Sequence, residues 1–156
     1  MSTRCNITLS YNDTDEKLWF YRHCDGYPEG ALPLLSAFMQ AVANGDLRDN
    51  PGQSGGWLIA LGMAEYNTEV PEFDPSIPFK EYQIVTSKNP FLSWKVGAIE
   101  PTTGKHGDIE YLYEVTLSDR TIKVFEIHHY PSNYERTRKR LIQIIKFERN
   151  KDENNK

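Results

Sequence analysis

Two stretches of alternating residues, each folded back on itself by a short polar turn, restrict this chain to folds built on antiparallel strands. In the first, Cys5, Ile7 and Leu9 alternate with Asn6, Thr8 and Ser10, and Leu18 to Tyr21 answer them across Asn12, Asp13, Thr14 and Asp15. With those four residues as the loop, Leu9 meets Leu18, Ile7 meets Phe20 and Cys5 meets Arg22, so one face carries an apolar ladder. The other face holds Trp19, Tyr21 and His23, and two large aromatics there call for a cover. A slip of one residue would mix the faces, so the pattern sets the register. The second stretch runs from Ile109 to Leu117 and from Thr121 to His128 around Ser118-Asp119, which places Val115 opposite Ile122, Tyr113 opposite Val124 and Glu114 opposite Lys123.

Between the hairpins the period changes. Asp25-Gly26-Tyr27-Pro28-Glu29-Gly30 demands a tight path out of the sheet, and Gly26 is expected in a conformation closed to other residues. Leu32, Leu35, Phe38, Met39 and Val42 then recur at helical spacing up to the stop Asn44-Gly45. Ser54 is a plausible cap for a second helix through about Tyr66 that buries Trp57, Leu58 and Leu61. An ordered surface loop is expected from Asn67 to Pro78, with short strands at 81–85 and 93–99. Ser132-Asn133-Tyr134-Glu135 is a capping-box pattern that predicts a terminal helix, although the run Ile142 to Phe147 also has the composition of a strand. The expected architecture is a single α+β domain over 1–150: a mostly antiparallel sheet from two hairpins plus short strands, with two central helices and a C-terminal helix. Residues 151–156 are expected to form a disordered polar tail.

Length and charge narrow the class. At 156 residues the chain suits one core, and its longest apolar runs fall short of the roughly 18 residues of a membrane span. The first eleven residues lack the features of a signal peptide. The expectation is a soluble, cytoplasmic protein without membrane contact. Residues 1–133 carry 10 Lys/Arg against 18 Asp/Glu, whereas residues 134–156 carry 8 against 4, so a basic terminal segment sits on an acidic body. That body repels a phosphate backbone and argues against nucleic acid. Cys5 and Cys24 are expected as neighbouring free, buried thiols.

The densest polar cluster is Arg22-His23-Cys24-Asp25 with Tyr27 beyond it, where a strand ends ahead of a helix. Arg22 can fork onto a carboxylate or phosphate, His23 can move protons near neutral pH, and Asp25 can orient either. Alternation places Arg22 and His23 on opposite faces unless the strand ends or bulges there, and the competing structural reading has Arg22 paired with an acid of the sheet and Asp25 capping the turn. Together with Ser2-Thr3-Arg4, the run Phe20-Tyr21-Arg22-His23-Cys24-Asp25-Gly26-Tyr27-Pro28-Glu29-Gly30 resembles a family of small, uncharacterised bacterial and phage proteins. Its members carry an Arg-His-any-Asp-Gly-Tyr-Pro motif after a first hairpin. The resemblance covers about the first third of the chain and implies a bacterial or phage setting and a shared site, without naming a reaction.

The remaining chemistry is sparse. His23, His106, His128 and His129 have no recognised metal-ligand spacing, although the hairpin register brings His106-Gly107-Asp108 towards His128. The glycines around Ser54 lack the Walker lysine and its spacing, and Pro101-Thr102-Thr103-Gly104-Lys105 is only a turn with a lysine. No catalytic residue, metal or cofactor is assigned. The function expected is a non-enzymatic binding or regulatory module that takes a protein partner or small anionic ligand through Arg22, His23, Asp25 and Tyr27, in a phage setting a host protein. The rival is a small hydrolase, with or without a metal, that uses His23 and Asp25 with His106 and Asp108.

Overall fold

The computed structural model describes residues 2–13, 16–67, 97–131 and 133–150. The surface loop expected beyond Asn67, the strand at 81–85 and the tail at 151–156 lie outside these residues. Both hairpins form in the expected registers. β1 (Cys5–Ser10) and β2 (Leu18–Arg22) pair with Ile7 opposite Phe20 and Cys5 opposite Arg22. β4 (Tyr111–Thr116) and β5 (Thr121–Tyr130) pair with Tyr113 opposite Val124 and Glu114 opposite Lys123. Two helices, α1 (Pro28–Ala43) and α2 (Pro51–Asn67), separate the hairpins. β3 (Glu100–Thr102) joins the outer edge of β2. Of the strand expected at 93–99, only 97–99 are described, and they carry no ladder.

The sheet has six strands in the order β3-β2-β1-β4-β5-β6 and is antiparallel except where β1 runs parallel to β4. A parallel neighbour cannot be reached by a tight turn, so the long stretch containing both helices lies between the hairpins. One face packs Cys5, Ile7, Leu9, Phe20, Tyr113, Val115, Ile122 and Val124 against Leu34, Leu35, Phe38, Leu58 and Leu61 of the helices. The opposite face buries a smaller group, Tyr21, Leu112, Phe125 and Ile127, around Ile109.

The expected C-terminal helix is instead β6 (Asn133–Lys146), a strand of 14 residues antiparallel to β5. The outer edge of β5 would otherwise leave a row of N–H and C=O groups unpaired, and Ile142, Ile144 and Ile145 are β-branched residues that suit a pleated strand. Non-local pairing here outweighs the local capping-box pattern. α2 also begins earlier than expected: Asn50, not Ser54, caps it, its Oδ1 accepting the Gln53 N–H at 3.1 Å, while the Ser54 hydroxyl donates to the Asn50 carbonyl at 2.8 Å. Trp57, expected in the core, is 44% exposed.

Gly26 is required for a different reason from the one expected. Among the described residues Gly45 is the glycine with positive φ, and in the turn it is Asp25 that takes the left-handed conformation, at φ 57°. Gly26 instead lies against the start of β1: its N–H donates to the Thr3 carbonyl at 2.9 Å, and an added Cβ would meet backbone atoms of Thr3, Arg4 and Cys5 at 2.9 Å. Its carbonyl accepts the buried Tyr113 hydroxyl at 2.7 Å. The turn is therefore tied to both central strands.

Candidate functional site

Strand alternation divides the Arg22-His23 pair as expected, and the two halves have different fates. Arg22 turns towards the helices and is 1% exposed. Its guanidinium forks onto Glu65 of α2 at 2.6 and 3.0 Å, and its Nε donates to the carbonyls of Cys24 and Asp25 at 2.9 and 3.2 Å. A longer bond reaches the Gly30 carbonyl at 3.4 Å. The partner acid comes from a helix, not from the sheet, and the group ties β2, the turn and α2 together. With these donors engaged and the charge buried, Arg22 belongs to the scaffold.

Asp25 and Tyr27 do not join His23. The Asp25 carbonyl serves Arg22, and its exposed carboxylate has no partner among the described residues. Tyr27 occupies the N-cap position of α1, where its carbonyl accepts the N–H groups of Gly30 and Ala31 while its side chain is 39% exposed. Cys24, expected to be buried beside Cys5, is only half-buried, and its thiol donates to the Ser2 hydroxyl at 3.4 Å.

His23 lies on the helix-free face, where residues from three separate segments meet. The connection 103–110 doubles back from β3 to β4 across this face and supplies the cover that Tyr21 requires. Asn6, fully buried, fixes that path: its amide donates to the Phe20 carbonyl at 2.9 Å and its oxygen accepts the His106 N–H at 2.8 Å. The His106 ring then stacks on Tyr21 at 3.9 Å with 15° between planes, and Thr102 bonds its Nε2 at 2.8 Å. Tyr21 donates to the Asp108 carboxylate at 3.1 Å, and Arg4 pairs with the same carboxylate at 3.3 Å.

The His23 ring lies 5.2 Å from the Tyr21 ring and tilted 56° to it, with Nδ1 3.3 Å from both the phenol oxygen and the Arg4 Nε. Tyr21 has one hydroxyl hydrogen, and the carboxylate is its stronger acceptor. His23 Nδ1 is left either to accept from Arg4 or to donate to the phenol, depending on its tautomer. Burial first, and then the Asp108 carboxylate that holds its proton, pushes the Tyr21 phenol up to about 12. It stays protonated at neutral pH and acts as a donor.

Of the residues singled out in the sequence, the structure thus brings together His23, His106 and Asp108 and leaves Arg22, Asp25 and Tyr27 elsewhere. His128 does not join them: it faces Glu126 at 3.6 Å, and it is His129 whose ring N–H donates to the Ile109 carbonyl at 2.8 Å. Sequence reasoning missed Arg4 and Asn6, whose signal was period two: positions 4, 6 and 8 share a face with 19, 21 and 23 across the hairpin.

The cluster balances one carboxylate against one guanidinium, with two imidazoles and a phenol between them. Among the described residues no three His, Cys, Asp or Glu side chains are grouped to hold a metal ion. Of two cavities formed by described residues, one lies beside the β4–β5 turn and the other between α2 and the β2–β3 pair, where Thr102, the partner of His106, is part of its wall. No helix among the described residues is long and apolar enough to cross a membrane. No family model, curated protein or solved structure matches this chain.

Proposed function

We propose that this chain is a non-enzymatic binding module whose polar contact surface is the patch Arg4, His23, His106 and Asp108 built over the buried Tyr21, and that the partner is a protein. The observation that carries this reading is the convergence of donors, acceptors and aromatic faces from three segments on the helix-free face, held by the buried Asn6. Such a patch offers both signs of hydrogen bond and stacking area, which suits a mixed polar protein surface. The polar site thereby moves from the 22–29 turn to the opposite side of the strand. The bacterial or phage setting, with a host protein as partner, rests on the resemblance of the first third of the chain.

A second reading is favoured by one observation. His23, His106 and Asp108 do gather, and a hydrolase would need an imidazole beside a carboxylate. Against it, among the described residues the Asp108 carboxylate is engaged by Tyr21 and Arg4 and by neither imidazole, and the hydroxyl beside His23 is the Tyr21 phenol, whose proton burial and Asp108 hold.

Gly107 gives access for a test, because a Cβ there meets nothing within 4 Å. A photocrosslinking residue at position 107 is expected to form an adduct with a protein of the source cell, and one at the exposed Asp49 to form none. Equal labelling from both positions would contradict the binding reading. Hydrolysis of an activated ester that disappears in His23→Ala would establish the second.

A further inference from the structure

β6 is the last strand of the sheet, and no strand among the described residues pairs with its outer edge. Natural sheets blunt such edges with charge or with bulges. The first half of β6 does so with Arg136, Arg138, Lys139 and Arg140. The second half lacks that run of charge: Leu141, Ile142 and Ile144 are 46%, 40% and 56% exposed. A bulge leaves Ile142 unmatched, since Gln143 pairs with Val124 and Leu141 with Phe125.

The order of residues in that half selects an occupant. Arg140-Leu141-Ile142-Gln143-Ile144-Ile145-Lys146 has the same pattern from either end: a base, two aliphatic residues, the central Gln143, two aliphatic residues and a base. An isologous contact between antiparallel strands needs such self-complementarity, because residue i meets j while j meets i. With a two-fold axis at Gln143, Leu141 meets Ile145, Ile142 meets Ile144, and Arg138 meets Glu148 of opposite charge. Registers centred nearer position 138 would set the basic run against itself and are disfavoured. We infer that β6 pairs antiparallel with β6 of a second copy of this chain about Gln143, joining two sheets into one.

The cost of this register lies at its ends, where Arg140 opposes Lys146. Arg140 is partly compensated by Glu126 at 2.9 Å. Salt screens the remaining repulsion, so self-association strengthens with ionic strength, whereas docking of an acidic segment on the same bases would weaken.

Light scattering on the full chain, from micromolar to millimolar and at low and high salt, tests the pairing. A concentration-dependent dimer that salt tightens is expected. Ile144→Lys, at an exposed position, should weaken it about tenfold or more per folded molecule. In a Cys24→Ser background, Gln143→Cys should give a disulfide-linked dimer under mild oxidation and Arg138→Cys should not. A monomer throughout, a dimer indifferent to Ile144→Lys, salt-weakened association, or cross-linking through position 138 instead of 143 would each overturn the proposal.

Discussion

Arg22 shows how a residue suited to ligand binding becomes structural. A guanidinium at 1% exposure is tolerable only if its donors are met, and Glu65 meets them with a forked pair whose shorter arm is 2.6 Å. Arg22→Ala would strand the Glu65 carboxylate and free two turn carbonyls, and should cost about 3–5 kcal/mol in urea unfolding. Arg4→Ala removes a pair whose side chains are 36% and 47% exposed and should cost no more than about 1 kcal/mol. Equal losses from the two variants would contradict the division between scaffold and surface. The thiols divide in the same way: Cys5 is fully buried, Cys24 only partly. A thiol reagent should label Cys24 promptly in the native protein and Cys5 only on unfolding; prompt labelling of both would show that the start of β1 is open.

Elements depend on what their residues meet beyond their own segment. α2 contains Gly56, where a Cβ would meet nothing within 4 Å, and Gly62, where it would meet the backbone N and Cβ of Ile99 at 2.9 Å. Alanine favours a helix over glycine by about 1 kcal/mol. Gly56→Ala should therefore stabilise by about that amount, and Gly62→Ala should destabilise by about 1–3 kcal/mol through overpacking. Thermal melts with the same sign for both would remove the close approach of Ile99 from the account. The same dependence explains what could be read from the residues alone. The hairpins were legible because each cross-strand pairing is decided within a short span, Leu9 with Leu18 and Glu114 with Lys123. β6 was not, because its form depends on the open edge of β5, while Ser132 and Glu135 sit at the spacing of a helix start. Asn50 was not read as the α2 cap, although Pro51 behind it is well suited to a first helical turn.

At the scale of the molecule, the polar patch was half legible. His23, His106 and Asp108 carried visible chemistry, but nothing local indicated that the 103–110 connection folds back over Tyr21; that path depends on Asn6, a residue of ordinary appearance in an alternating strand. The buried acids of this core also set its response to base. Burial pushes the Cys5 thiol from 9.0 up to about 12, Tyr21 rises from 10.0 to about 12, and burial raises Tyr113 as well. Groups that hold their protons more tightly when folded contribute stability that is present below the unfolded values and is lost as pH rises through the folded ones. Stability should thus fall across about pH 9 to 12, and Tyr21→Phe should flatten that slope; a flat profile in the wild type would mean that these groups are solvated. The central claim is that one side of the Arg-His motif builds the fold while the other meets the partner. Its most direct test is partner retention per folded molecule, compared across Arg4→Ala, His23→Ala and Arg22→Lys. The account predicts that the first two keep their melting temperature and lose retention about tenfold or more, while Arg22→Lys melts earlier and retains the partner in proportion to its folded fraction; retention lost only in Arg22→Lys would contradict it.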